Sequence, residues 1–154
     1  MKKKLTRAES ASGYHGLKFS KPVKKKKSWS QEMDKHCLKL WYKIVRLKAN
    51  NRCQRPNCPF CFNQENAKYL QAHHIISRTK WALRHDTQNG VLLCRSSHQF
   101  WAHNTDMFIQ AQVIEFYKTL GIWDYLQLRR TNKTKLDYKL IELDLLQQLK
   151  KYEG

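Results

Sequence analysis

The sequence predicts an α+β domain: a small hairpin-then-helix centre between helical flanks, behind a basic N-terminal arm. Three observations predict it. Apolar residues recur at helical spacing over about 31–49 and again through the C-terminal third. Between these flanks, 69–76 and the apolar 91–93 are short segments that can form strands, with turn-forming residues ahead of the second. Ten of the 30 Lys and Arg fall within residues 1–30, against one acid, Glu9. The expected organisation is a flexible basic arm over 1–29, a central domain over 30–127 and a C-terminal helix over 128–154.

A chain of 154 residues has room for one domain plus tails. Its formal charge of +18 calls for a polyanionic partner, nucleic acid ahead of an anionic membrane surface. No apolar run approaches the roughly 20 residues that span a bilayer, and the first residues lack the apolar stretch of a signal peptide. The expectation is therefore a cytoplasmic protein with no membrane partner.

In the arm, Gly13, Gly16, Pro22 and several serines accompany the cations, and aliphatic residues are few. Such a segment buries too little to offset its ordering entropy. It is expected to be disordered and to bind phosphates without sequence preference, with Lys24, Lys25, Lys26 and Lys27 as its densest cluster.

The first helix is expected from the serines at 28 and 30, since Ser28 with Gln31 has the spacing of a capping box. Met33, Cys37, Leu40, Trp41, Ile44 and Val45 form its apolar stripe, and Lys35, Lys39, Lys43 and Arg46 its outer face. Cys37 on that stripe reads as a small core residue. Further on, Phe108, Val113, Phe116, Tyr117 and Leu120 mark a helix that Gly121 can end. Ile122 to Leu126 form a short apolar segment. Leu136, Leu140, Leu143, Leu146, Leu149 and Tyr152 step by threes and fours along a last helix. That stripe is expected to pack on the central domain or against a second copy or another protein. Trp41, Trp81, Trp101 and Trp123 read as core or ridge aromatics, with base stacking as a second reading for Trp81, which lies between Lys80 and Arg84.

Four of the five cysteines lie in the centre. Cys58-Pro59-Phe60-Cys61 is a knuckle whose tight turn can aim two sulfurs at one ion, and Cys94 follows 33 residues later. A second knuckle would need cysteine at 97, where the chain has Ser97. Cys53 can supply the missing thiolate. A structural Zn²⁺ held by Cys53, Cys58, Cys61 and Cys94 is therefore expected, with reduced buried thiols or disulfides as the alternatives. Disulfides fit poorly with a chain that lacks a signal peptide.

Between the knuckle and Cys94 runs Leu70-Gln71-Ala72-His73-His74-Ile75-Ile76-Ser77-Arg78. It is followed by Leu83-Arg84-His85-Asp86-Thr87-Gln88-Asn89-Gly90-Val91-Leu92-Leu93-Cys94, then by His98 and His103. Two strands with Asn89-Gly90 at a turn, then a helix from about Arg95 carrying His98, would set His-His, Asn and His at three corners of one small unit. Neighbouring strand side chains point to opposite faces, so one of His73 and His74 can face a metal while the other faces water. His85, His15 and His36 read as background.

These residues, in this order, resemble the HNH or His-Me finger endonucleases. More closely, the span from Lys39 to about Phe108 resembles the zinc-bearing HNH proteins of phages and prophages. Among these is the group related to the lambda NinG/Rap recombination nucleases, which share the run from His74 to His98. Two positions depart from the pattern: Ser97 stands where many relatives have cysteine, and His73 where others have Asp, Glu or a small residue.

The resemblance implies a ββα-metal core and a metal-dependent DNA endonuclease that leaves 5′-phosphate and 3′-hydroxyl ends. It makes His74 the general base, His73 and His98 metal ligands, and His103 a third, although five residues is an awkward helical interval. Asn89 would hold the backbone of the loop that carries the base. Arg78 and Arg84 are candidates to grip the phosphate, with Lys80 beside them. Arg84 could instead pair with Asp86. The chemistry suits this set, because a neutral imidazole can take a proton from water and one divalent cation can clamp the scissile phosphate. Mg²⁺ is the expected ion, and a histidine-rich site also accepts Mn²⁺, Ni²⁺ or Zn²⁺. The alternatives are a zinc-containing nucleic-acid-binding module without turnover, or a phage assembly or packaging accessory that docks through its last helix.

Overall fold

Helix α1 (Trp29–Lys48) starts where its capping chemistry dictates: Ser28 Oγ accepts from the Gln31 amide, and Gln31 Oε1 accepts from the Ser28 amide. Cys37, Trp41, Ile44 and Val45 form its buried face. The helix ends in Asn50 and Asn51, both in the left-handed region that asparagine tolerates, with the Asn51 amide on the Arg46 carbonyl. The computed structural model describes residues 27–61, 69–133 and 135–153. Lys24, Lys25 and Lys26, with the rest of the expected arm up to residue 26, lie outside the described residues; Lys27 lies within them and is exposed.

Strands β1 (Leu70–His74) and β2 (Gly90–Cys94) pair antiparallel, from Leu70 opposite Cys94 to His74 opposite Gly90. Two-residue alternation along them feeds two separate cores. Leu70, Leu92 and Cys94 join α1, while Val91 and Leu93 join a cluster with Trp101, Val113, Phe116 and Tyr117. The hairpin is thus covered on both faces, which is why all of β2 is buried.

The expected Asn89-Gly90 turn is not the turn of the hairpin. The strands are joined by residues 75–89, which contain 3₁₀ turns at Trp81–Leu83 and Thr87–Asn89. Gly90 has φ −125° and opens β2. Glycine is needed there for proximity: a Cβ would lie 2.4 Å from Val45 Cγ2 and 2.8 Å from Trp41 Cζ2.

The helix expected from Arg95 forms for three residues only, α2 (Arg95–Ser97), then widens into a π-helical turn over His98–Ala102. Helix α3 (Met107–Thr119) is capped by Asp106 and ends at Gly121, whose φ is +68°. Phe108, expected on its apolar stripe, is exposed. Trp123 to Leu126 belong to helix α4 (Trp123–Arg129), with Ile122 at its N-cap, so the boundary expected at 127 falls inside a helix.

Helix α5 (Tyr138–Glu153) packs on α1 through Leu145 and Leu149, with Tyr138 and Ile141 at the edge of that core. His36–Glu142 and Lys43–Glu153 ion pairs flank the contact. The expected stripe is corrected here. Of its members only Leu149 is buried, while Leu140, Leu143, Leu146 and Tyr152 face outward. Leucines occupy several faces of α5, so spacing alone did not select the one that packs. No helix among the described residues is long and apolar enough to cross a membrane.

Candidate active site

Three imidazoles converge beside the hairpin. His73 projects from β1 on the side of Tyr117, His98 opens the π-helical turn and His103 follows it. Their ring centres are 4.7–5.0 Å apart. One nitrogen from each can be chosen so that all lie within 4.8 Å of one another. In a regular α-helix a five-residue interval splays two side chains; π winding, whose hydrogen bonds join residues five apart, brings them together. Burial pushes the pKa of His73 down to about 3, and His98 and His103 add to the effect. Burial, then His103, also lowers that of His98. With burial disfavouring the charged forms of His73 and His98, the three rings are a donor set that suits a divalent cation. Tyr117, stacked near His73, keeps a buried hydroxyl with no hydrogen-bond partner.

His74, one residue on, faces the other layer. Its ring stacks on Trp41, and its Nε2 lies 2.9 Å from the Arg84 carbonyl oxygen. A carbonyl can only accept, so Nε2 carries the proton and Nδ1 is the basic nitrogen. Burial lowers the pKa of this ring, outweighing the Arg84 carbonyl, which acts in the opposite direction.

Asn89 is fully buried and uses both ends of its amide on the chain that follows His74. Oδ1 accepts from the Ile76 amide at 2.7 Å, and Nδ2 donates to the carbonyls of Ile76 and Leu83 at 2.9 and 3.0 Å. Its own carbonyl accepts from the Ile75 amide. The residue therefore closes the long connection on itself directly behind His74.

Arg84 is a correction. Expected as a phosphate-gripping group, it donates instead through Nε and Nη2 to the two carboxylate oxygens of Asp34, both at 2.6 Å. Its Nη1 donates to the Arg78 carbonyl, and its guanidinium lies 5.2 Å from the Trp81 ring centre. Asp86, the other partner considered, accepts from Tyr125 and from the Gln88 amide. The Arg84 hydrogen bonds hold Asp34 below the usual carboxylate value, against some desolvation. His85 Nε2 lies 3.1 Å from the same carboxylate, without an aligned hydrogen bond. Fifty residues separate Asp34 from Arg84, so no local pattern links them. Arg78 and Lys80 are exposed on the same connection.

The second cluster lies behind β2. One sulfur from each of Cys53, Cys58, Cys61 and Cys94 falls within 4.8 Å of the others, a set that could hold zinc. None is in a disulfide. Ser97 is fully buried between two of them, its hydroxyl 3.1 Å from Cys58 Sγ and 3.2 Å from Cys94 Sγ. Burial raises the Cys58 thiol, but hydrogen bonding from Ser97, the Phe60 backbone and the neighbouring thiols outweighs it, bringing its pKa to about 7. Gln54 ties this loop to Leu92 through both its backbone amide and its side-chain carbonyl. Cys94 also accepts from the Ser97 amide, so this cluster caps the short helix that leads into His98. Cys37 sits apart in the α1 core.

Residues 53–100 match the family described as HNH endonuclease. The match takes in both strands, all four clustered cysteines, and His73, His74, Asn89 and His98. It supports an HNH-type nuclease domain in this part of the chain; HNH domains bind a divalent metal and act on DNA. No curated protein and no solved structure matches the chain.

Proposed function

We propose that this protein is a metal-dependent DNA endonuclease that hydrolyses phosphodiester bonds. His74 is its general base, and one divalent cation is held by His73, His98 and His103. The observation that carries this reading is the convergence of three imidazoles beside a fourth whose Nε2 is already committed to a carbonyl. When bound, the cation supplies Lewis-acid polarisation of the scissile phosphate and offsets the charge that builds on it.

The other steps belong to the chain. His74 Nδ1 takes the proton of the attacking water, while Trp41 and the Arg84 carbonyl hold the ring in plane and tautomer. Asn89 is a positioning residue that fixes the loop after the base. Arg78 and Lys80 bind backbone phosphates, and Lys24, Lys25, Lys26 and Lys27 add contacts that are indifferent to sequence. Mg²⁺ is the favoured ion; Mn²⁺, Ni²⁺ or Zn²⁺ would also suit imidazole donors. A Zn²⁺ on Cys53, Cys58, Cys61 and Cys94 holds the knuckle to the hairpin. The products carry 5′-phosphate and 3′-hydroxyl ends. The reading extends to a phage nuclease of DNA recombination or processing, at work in the host cytoplasm, and the resemblance of the run from His74 to His98 to NinG/Rap-like proteins is what supports that extension. The outward leucines of α5 are the face that a second copy or a phage protein would use.

Supercoiled plasmid incubated with the full chain, in Mg²⁺ and in EDTA, tests the reading. Nicking is expected in Mg²⁺ and not in EDTA, and lost in His74→Ala with DNA binding retained. Binding without nicking in any of the four ions would make the protein a nucleic-acid-binding module instead.

A further inference from the structure

Next to the His74 loop, the first turns of α1 and the 3₁₀ turn at Trp81 enclose an open groove of about 410 Å³, and the active-site reading gives it no role. Trp81 and Tyr138 supply its aromatic surface, and Lys27 and Lys35 its cations. Trp81 is 54% exposed, which is high for an indole. It is nonetheless held in place, because the guanidinium beside its ring is fixed to Asp34.

Asp34 is the groove's one carboxylate, and Arg84 and His85 already occupy it. The charge the groove offers outward is therefore positive. Lys27 and Lys35 approach closely enough that Lys27 pushes the Lys35 ammonium below its ordinary value, a crowding that an anion between them would relieve. The lysine run 24–27 also ends at this rim. A fixed aromatic ring flanked by cations is the construction that binds single-stranded nucleic acid, with the base on the ring and its phosphate on the cations. Arg84 links the two places: its guanidinium stacks on Trp81, and its carbonyl holds His74.

We infer that this groove takes an unpaired nucleotide of the DNA substrate, the base stacked on Trp81 and the adjoining phosphate at Lys27 and Lys35. The inference rests on the endonuclease reading and narrows it: the preferred substrate carries unpaired nucleotides close to the scissile bond, as in a flap, gap or opened junction. A continuous duplex offers no free base face to the indole.

Two measurements on the full chain separate this inference from the reading beneath it. In EDTA, fluorescence anisotropy compares binding of a labelled oligothymidylate with binding of a blunt duplex of equal length. In Mg²⁺, cleavage compares a flapped duplex with its continuous counterpart. Trp81→Ala is expected to weaken oligothymidylate binding about tenfold or more while duplex binding changes less than about twofold; Trp81→Phe retains most of it. The same variant should lower kcat/KM on the flapped substrate and leave the duplex rate nearly unchanged. Equal losses on both DNAs, or none on either, would overturn the inference. If no cleavage is seen with any metal but the selective binding loss is, the endonuclease reading fails and the groove assignment stands.

Discussion

The imidazole of His74 lies flat on the indole of Trp41, ring centres 3.9 Å apart and planes 6° from parallel. Trp41 is itself anchored, its Nε1 donating to the Asp86 carbonyl at 2.8 Å. The imidazole proposed as the base is thus oriented by a residue 33 positions upstream, on a helix outside the matched segment. Trp41→Phe keeps an aromatic face but loses the anchor. It should cost about 1–2 kcal/mol in urea unfolding. It should also lower kcat roughly tenfold with KM for DNA little changed, because orientation rather than binding is lost. A fall in KM-dependent binding with kcat intact would show that the stack does not position the base.

Gly90 gives a packing test in the same corner. Its φ of −125° suits any residue, so the cost of Gly90→Ala is steric, from a methyl group 2.4 Å from Val45 Cγ2. Overpacking of this kind costs about 1–3 kcal/mol. The double variant Gly90→Ala with Val45→Ala should recover part of that loss, as a coupling energy from urea denaturation. Simple additivity would mean that the strand moves instead.

How much of this was legible in the sequence depends on how far each contact reaches along the chain. The Ser28–Gln31 cap, the cysteine knuckle and the order His73, His74, Asn89, His98 are local patterns, and the structure brings the three histidines and the four cysteines into two groups. His103 looked awkward at five residues from His98 because a π turn leaves no periodic signature that distinguishes it from an α-helix. Arg84 was misread because its carboxylate, Asp34, is on another element, whereas the nearer Asp86 bonds elsewhere. On α5, Leu140, Leu143, Leu145, Leu146 and Leu149 cover too much of the helix for spacing to choose a face. The choice is made by Cys37, Trp41 and Ile44 on α1.

The Asp34–Arg84–His85 group predicts how stability follows pH. Burial first, against the attraction of Asp34, lowers the pKa of His85 from 6.5. The unfolded chain then binds a proton that the folded one resists, so stability falls as pH drops below about 6.5. Asp34 acts later. Its lowered pKa contributes stability above the ordinary 3.8 that is lost as pH falls through its folded value. His73, His74 and His98 are lowered too and steepen the first stage in metal-free protein. The informative quantity is therefore the difference between wild type and His85→Gln. By urea midpoints, that difference should move in favour of the variant between pH 7.5 and 5.5. A constant difference would mean that His85 ionises as freely in the folded protein as in the unfolded chain.

Metal removal should be asymmetric, because one cluster supports the other. Cys94 caps the helix that leads into His98, and Ser97 sits against both Cys58 and Cys94. The purified chain is expected to retain about one zinc that resists brief dialysis against EDTA, as closed four-thiolate sites do. Cys58→Ser should lose that zinc, lower the melting temperature and also abolish Mn²⁺ binding at the histidines. His98→Ala should lose Mn²⁺ binding alone, with zinc content and melting temperature close to wild type. Elemental analysis, calorimetric titration and thermal melts read the three quantities. If Cys58→Ser kept its Mn²⁺ affinity, the cysteine cluster would not be what holds His98 in place, and the two sites would be energetically separate although only three residues lie between Cys94 and His98.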